Sequence, residues 1–177
     1  MKTLLLSTIL LFTLNSYSQD VTIPDANFKA LLVADNAINT NADNEIQVAE
    51  ANAYTGLINC SGLGISDLTG IEAFTALTDL YCYANQLTSL DVSSNTALTY
   101  LDCFANQLTS LDVSSNTALT DLYCFVNQLT SLNVSGATAL TNLVCYDNQL
   151  TSLDVSSNTA FTDLYCYANQ LTSLDVS

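Results

Sequence analysis

The sequence predicts a solenoid with short parallel strands on two sides of each coil and a small helical cap at its N-terminal end. Three observations carry this expectation. The stretch Leu108 to Gln128, LTSLDVSSNTALTDLYCFVNQ, recurs every 21 residues, and units of that period bury their apolar sides against neighbouring copies. Each unit divides into two similar halves, L-x-x-L-x-C-x-x-N (Leu119, Leu122, Cys124, Asn127) and L-x-x-L-x-V-x-x-N (Leu108, Leu111, Val113, Asn116). Each half holds an alternating apolar core suited to a short strand, followed by a turn. Ahead of the repeats, Phe28, Leu31 and Leu32 fall at helical spacing instead.

Taken in order, residues 1–18 read as an export signal, with Lys2, the apolar run Leu4 to Leu14 and small residues around Ser16-Tyr17-Ser18. The mature chain then begins at Gln19. The apolar run is shorter than the roughly 20 residues of a membrane-spanning helix, and no other stretch approaches that length. Residues 19–56 form the expected cap, with Asp25 as N-cap of a helix ending near Asn36 and a second helix from Val48 to about Tyr54.

Between these helices, Asn39 to Glu50 follows the pattern of an EF-hand loop. Asn39, Asn41 and Asp43 stand at loop positions 1, 3 and 5, Ile46 at the apolar position 8 and Glu50 at position 12, with Glu45 completing the candidate calcium ligands. The loop departs from the pattern at Asn39, where Asp is usual, and at Asn44, where Gly is usual. The alternative is a cap that keeps the loop shape without the ion.

Residues 57–177 form the solenoid. Leu57 to Leu77 is a transitional coil, one residue longer than the rest, and the regular array follows. Six cysteines in an exported chain usually mean three disulfides. Here Cys60, Cys82, Cys103, Cys124, Cys145 and Cys166 are spaced by 22 and then 21 residues, always in the third inward position of a half-coil. They are expected as a ladder of unpaired thiols acting as small buried hydrophobes. Asn85, Asn106, Asn127, Asn148 and Asn169 fall at the turns, where a buried ladder of amides satisfies backbone groups.

Loss of the leader leaves Lys29 as the one cation against 17 carboxylates. Nucleic acid is excluded as a partner, because such affinity comes largely from cations neutralising phosphates. The chain has no His and no Arg, so the usual acid–base and nucleophile pairs cannot be assembled. A carboxylate-only mechanism such as glycan hydrolysis stays formally open. The repeated Asp, however, reads as a copied surface rather than a unique pair.

Two faces flank the buried positions. On the Cys half, the residue after Cys is Tyr83, Phe104, Phe125, Tyr146 and Tyr167. The residue before it is Tyr81, Asp102, Tyr123, Val144 and Tyr165, and two further back come Asp79, Tyr100, Asp121, Asn142 and Asp163. With coils about 4.7–4.9 Å apart, the rings are expected to form an exposed stripe with an acidic border. Tyr81, Tyr83, Phe104, Tyr123, Phe125, Tyr146, Tyr165 and Tyr167 are therefore the candidate ligand-binding residues; alternatively the rings only stack to stiffen the ladder. The other half carries Ser89, Ser110, Ser131, Ser152 and Ser173, with Asp91, Asp112, Asn133, Asp154 and Asp175 two residues on. That side reads as a solvated surface, and Val134-Ser135-Gly136-Ala137, in place of Val-Ser-Ser-Asn, reads as local drift.

From Leu57 to Ser177 the chain resembles bacterial leucine-rich repeat proteins of the nested 21-residue (IRREKO) type, in which LxxLxCxxNxL alternates with LxxLDLxxN. Ile65-Ser66-Asp67-Leu68-Thr69-Gly70-Ile71-Glu72 is also similar to the first coil of internalin-like repeats. The resemblance implies a leucine-rich repeat solenoid, secreted or displayed on the outer cell surface, that recognises or adheres to protein or glycan without being an enzyme. A spacer projecting another domain is the second reading. The sequence stops at Ser177 inside the half-unit LTSLDVS, with neither a cap nor the sorting domain some family members carry, and it is expected to be a fragment or a truncated reading frame.

Overall fold

The computed structural model describes residues 19–176; the export signal expected over residues 1–18 lies outside them. No helix among the described residues is long and apolar enough to cross a membrane.

The cap contains α1 (Ala26–Ala34) and α2 (Val48–Ala53). α1 starts where Asp25 accepts the N–H groups of Asn27 and Phe28 at 2.9 and 3.1 Å, donors the first helical turn leaves free. Phe28 and Leu32, one turn apart, are fully buried. The other oxygen of Asp25 accepts the N–H of Ser66 at 2.9 Å, pinning the helix to the first coil. Phe28, Leu32, Ile38 and Ile46 share one hydrophobic core with Ile58, Ile65 and Ile71 of that coil. The cap thus covers the apolar end of the stack, which would otherwise be exposed.

The strands of the solenoid are each three residues long: β1 (Leu57–Asn59), β2 (Asp79–Tyr81), β3 (Tyr100–Asp102), β4 (Ser110–Asp112), β5 (Asp121–Tyr123), β6 (Ser131–Asn133), β7 (Asn142–Val144), β8 (Ser152–Asp154), β9 (Asp163–Tyr165) and β10 (Ser173–Asp175). On the Cys side, β1, β2, β3, β5, β7 and β9 form one parallel six-stranded sheet. Each central residue points inward, and Leu80, Leu101, Leu122 and Leu143 are fully buried. Pairing continues through the cysteines: the N–H of Cys82 donates to Asp102, and that of Cys103 to Tyr123, at 2.8 and 2.9 Å.

The expectation of two full ladders holds on the Cys side only. Opposite it, strands pair as β4–β6 and β8–β10, and residues 89–91 form no strand. The break comes just after β6, at Val134-Ser135-Gly136-Ala137, which is more than drift. A Cβ on Gly136 would collide with the carbonyl oxygen of Ser114, so only glycine lets this turn lie against the preceding coil.

Asparagine builds the Cys-half turns from Asn85 onward and most of the Val-half turns. The Asn106 side-chain amide donates to the carbonyls of Cys82 and Cys103 at 3.0 and 3.1 Å, and its oxygen accepts the N–H of Leu87 at 3.0 Å. Asn85, Asn127, Asn148 and Asn169 repeat the arrangement. In the other half, Asn116 donates to Val92 and Asn95 at 2.9 Å each. The side-chain oxygens of Asn95, Asn116 and Asn158 are buried without a partner. Before each Cys-half asparagine the chain turns through a left-handed residue, Ala84, Ala105, Val126, Asp147 or Ala168, with φ between 50° and 56°.

Candidate functional site

The outer face of the six-stranded sheet carries three rows of side chains, aligned by the strand register. The first row is Asp79, Tyr100, Asp121, Asn142 and Asp163; the second is Tyr81, Asp102, Tyr123, Val144 and Tyr165. The third row lies one residue beyond the cysteines.

In that third row, Tyr83, Phe104, Phe125, Tyr146 and Tyr167 form one continuous column. Successive centroids lie 4.7, 4.5, 4.6 and 4.6 Å apart, with interplanar angles of 9°, 5°, 21° and 6°. The rise per coil matches the spacing of a stacked ring pair, so each inner ring has both faces covered by its neighbours. The exposed stripe expected from the sequence is therefore half-buried, except at Tyr165 and Tyr167, which are 47% and 61% exposed. Stacking and edge contacts of this kind add to ladder stability. The structure places Tyr165 apart from the other candidates, its hydroxyl 3.5 Å from Asp163.

Tyr81 and Tyr123 belong to a second group, completed by Tyr100, which was not among the candidates. Tyr100 meets Tyr81 edge-on at 5.0 Å and stacks on Tyr123 at 5.3 Å. The signal was present in the sequence: the coil of β3 reads Tyr-Leu-Asp where those of β2, β5 and β9 read Asp-Leu-Tyr. This inversion puts Asp102 between Tyr81 and Tyr123 on the neighbouring strands. Asp102 is 9% exposed, and burial pushes its carboxyl up to about 6, against a single long hydrogen bond from the N–H of Phe104.

The opposite face behaves differently. Hydrogen bonds from Ser93 to Asp91 and from Ser114 to Asp112 hold those carboxyls below the usual range. Like charges in adjacent coils repel, and Asn133 breaks the run by donating to Asp112 at 3.1 Å. Shallow grooves of about 310 and 350 Å³ run between these side chains.

Five of the cysteines are buried as inert thiols. All six thiols are free, and Cys60, Cys82, Cys103, Cys124 and Cys145 are buried. Burial pushes the thiols of Cys60 and Cys145 up to about 12, far from the thiolate that reacts.

The EF-hand-like loop is closed by hydrogen bonds centred on Glu50. One Glu50 oxygen accepts the N–H and hydroxyl of Thr40, both at 2.8 Å, and the N–H of Asn41 at 3.1 Å; the other accepts the N–H of Gln47 at 3.1 Å. Asp43 accepts Asn41, Gln47 and the N–H of Glu45, while Glu45 turns away to pair with Lys29 at 2.6 Å. Asn39 is buried and directs its amide nitrogen to the carbonyls of Val33 and Asp43. Its oxygen lacks a partner. Among the described residues no three His, Cys, Asp or Glu side chains gather to hold a metal ion.

No protein-family model matches the chain. Over 72 residues, 41% of this chain, it is 45% identical to Internalin J of Listeria monocytogenes, and the match spans 8% of that protein's length. The solved structure of YopM from Yersinia enterocolitica is 29% identical, with a TM-score of 0.59 over 67% of this chain and 26% of that one. An internalin of Listeria monocytogenes, inlF, shares the fold at 20% identity and a TM-score of 0.58, over 93% of this chain and 66% of the other. With the helical cap, the parallel ladder and these likenesses together, the chain has a leucine-rich repeat solenoid fold similar to that of bacterial internalins.

Proposed function

We propose that the protein is an exported, non-enzymatic recognition module that adheres to a protein at a cell surface through the outer face of its six-stranded sheet. One observation carries this reading: aromatic and acidic side chains lie in register on adjacent strands of a single ladder. Tyrosine-rich surfaces on a rigid frame offer large contact area at low entropic cost, which protein interfaces use. Stacking on a sugar needs an open ring face, and the inner rings of the Phe104 column have none. A protein partner therefore fits this face better than a glycan.

The same stacking favours the second reading, a stiff spacer in which the rings serve the ladder alone. Replacing Phe104, Phe125 and Tyr146 together with Leu keeps the face apolar and removes the rings. Binding of the fluorescently labelled protein to intact cells then separates the readings. Recognition through this face predicts that the variant, still folded by circular dichroism, loses binding. A spacer predicts equal binding.

A further inference from the structure

Six residues on the recognition face form a checkerboard. Asp79, Tyr100 and Asp121 make one row, and Tyr81, Asp102 and Tyr123 make the next, each acid in register with a tyrosine on the adjacent strand. Tyr100 touches both other rings, and the buried Asp102 lies in register between Tyr81 and Tyr123. One oxygen of Asp102 takes a 3.4 Å hydrogen bond from Phe104, and the other takes none among the described residues. Asp79 and Asp121 each accept only the hydroxyl of the preceding threonine, at 2.6 and 2.8 Å.

We propose that this checkerboard is the seat of an arginine side chain presented by the protein partner. The inference rests on the reading of the sheet face as a recognition surface and specifies what that surface takes. A guanidinium is planar, stacks on tyrosine and gives a carboxylate two parallel hydrogen bonds. The half-buried site offers both features side by side. The chain cannot fill the seat itself: its two cations are lysines, of which Lys29 is paired with Glu45 and Lys2 lies outside the described residues. Burial without a counter-cation holds the Asp102 carboxyl high, and an incoming cation would reverse that. The overall charge of -15 draws a basic partner to the face.

The test titrates the isotope-labelled protein with Nα-acetyl-arginine amide and follows backbone amide shifts. The seat predicts saturable shifts at Tyr81, Asp102 and Tyr123, several-fold weaker binding of the matching lysine derivative, and none of the citrulline derivative, which keeps the shape without the charge. Asp102→Asn should abolish the shifts. So should the paired exchange Tyr100→Asp with Asp102→Tyr, which restores the order of the neighbouring coils at unchanged composition and charge. Shifts that survive the exchange, equal binding of lysine or citrulline, or no saturable shift in the native protein would each overturn the proposal. If cell binding were still lost on replacing the Phe104 column, the recognition surface would stand and only its arginine seat would fall.

Discussion

The two halves of each coil share one L-x-x-L frame and differ in almost everything it supports. The Cys half builds an unbroken ladder of six strands, closes five successive turns with an asparagine satisfied at both ends, and stacks its rings through five coils. The Val half pairs its strands two by two and leaves the oxygens of Asn95, Asn116 and Asn158 buried without partners. Serines hold the carboxyls of Asp91 and Asp112 below the usual range. Stiffness and specific chemistry therefore lie on one side of the solenoid, and hydration on the other. The difference comes from a few positions per repeat: the side chain just after the third inward residue, and the number of hydrogen bonds the turn amide makes.

Substitutions can press on this contrast. Gly136→Ser restores the consensus residue yet drives a Cβ into the Ser114 carbonyl. It should destabilise by about 3 kcal/mol or more in urea denaturation, because rigid backbone cannot yield as a side chain does. Asn106→Leu strands two carbonyls and an N–H, and should cost about 3 kcal/mol. Asn116→Leu loses two bonds but also removes an unpaired oxygen, and should cost about half as much. Equal losses would mean that the two turns are energetically alike.

Asp102 gives a pH signature to the Cys side. Its folded carboxyl titrates at about 6 and its ordinary value is 3.8, so between these the folded state binds the extra proton. Stability should fall as pH rises through that window and stay lower above it. Asp102→Asn should flatten the slope and raise stability at neutral pH by of the order of 2 kcal/mol, read from thermal midpoints across pH. The smallest effect concerns Val126, a β-branched residue at φ 52° where asparagine is far more comfortable. Val126 is 42% exposed, so Val126→Asn loses little packing and should stabilise by about 1 kcal/mol.

Much of this was legible in the sequence, since period, inward positions and turn asparagines are set by spacing alone. The helix beginning after Asp25 was legible as well, because a cap residue followed by Phe28 and Leu32 has one good solution. The left-handed turns were hidden, because the position holds Ala84, Val126 and Asp147 rather than glycine. Gly136 was misread because its reason is the backbone of another coil. Ring stacking depends on the rise per coil and on rotamers. The Tyr100 and Asp102 inversion stood in plain view, but only the register shows that it places a buried carboxyl between Tyr81 and Tyr123. At Asn39 to Glu50 the spacing of oxygens was legible, while the hydrogen bonds they accept within the cap were not.

The proposed recognition surface is the Cys side of the solenoid. The direct measurement is cell-surface binding by two folded variants, one with Phe104, Phe125 and Tyr146 replaced by Leu, the other with Asp91, Asp112 and Asp154 replaced by Asn. Recognition by the Cys side predicts that the first loses binding while the second keeps it. Binding kept by the first and lost by the second would place recognition on the opposite face and contradict that assignment.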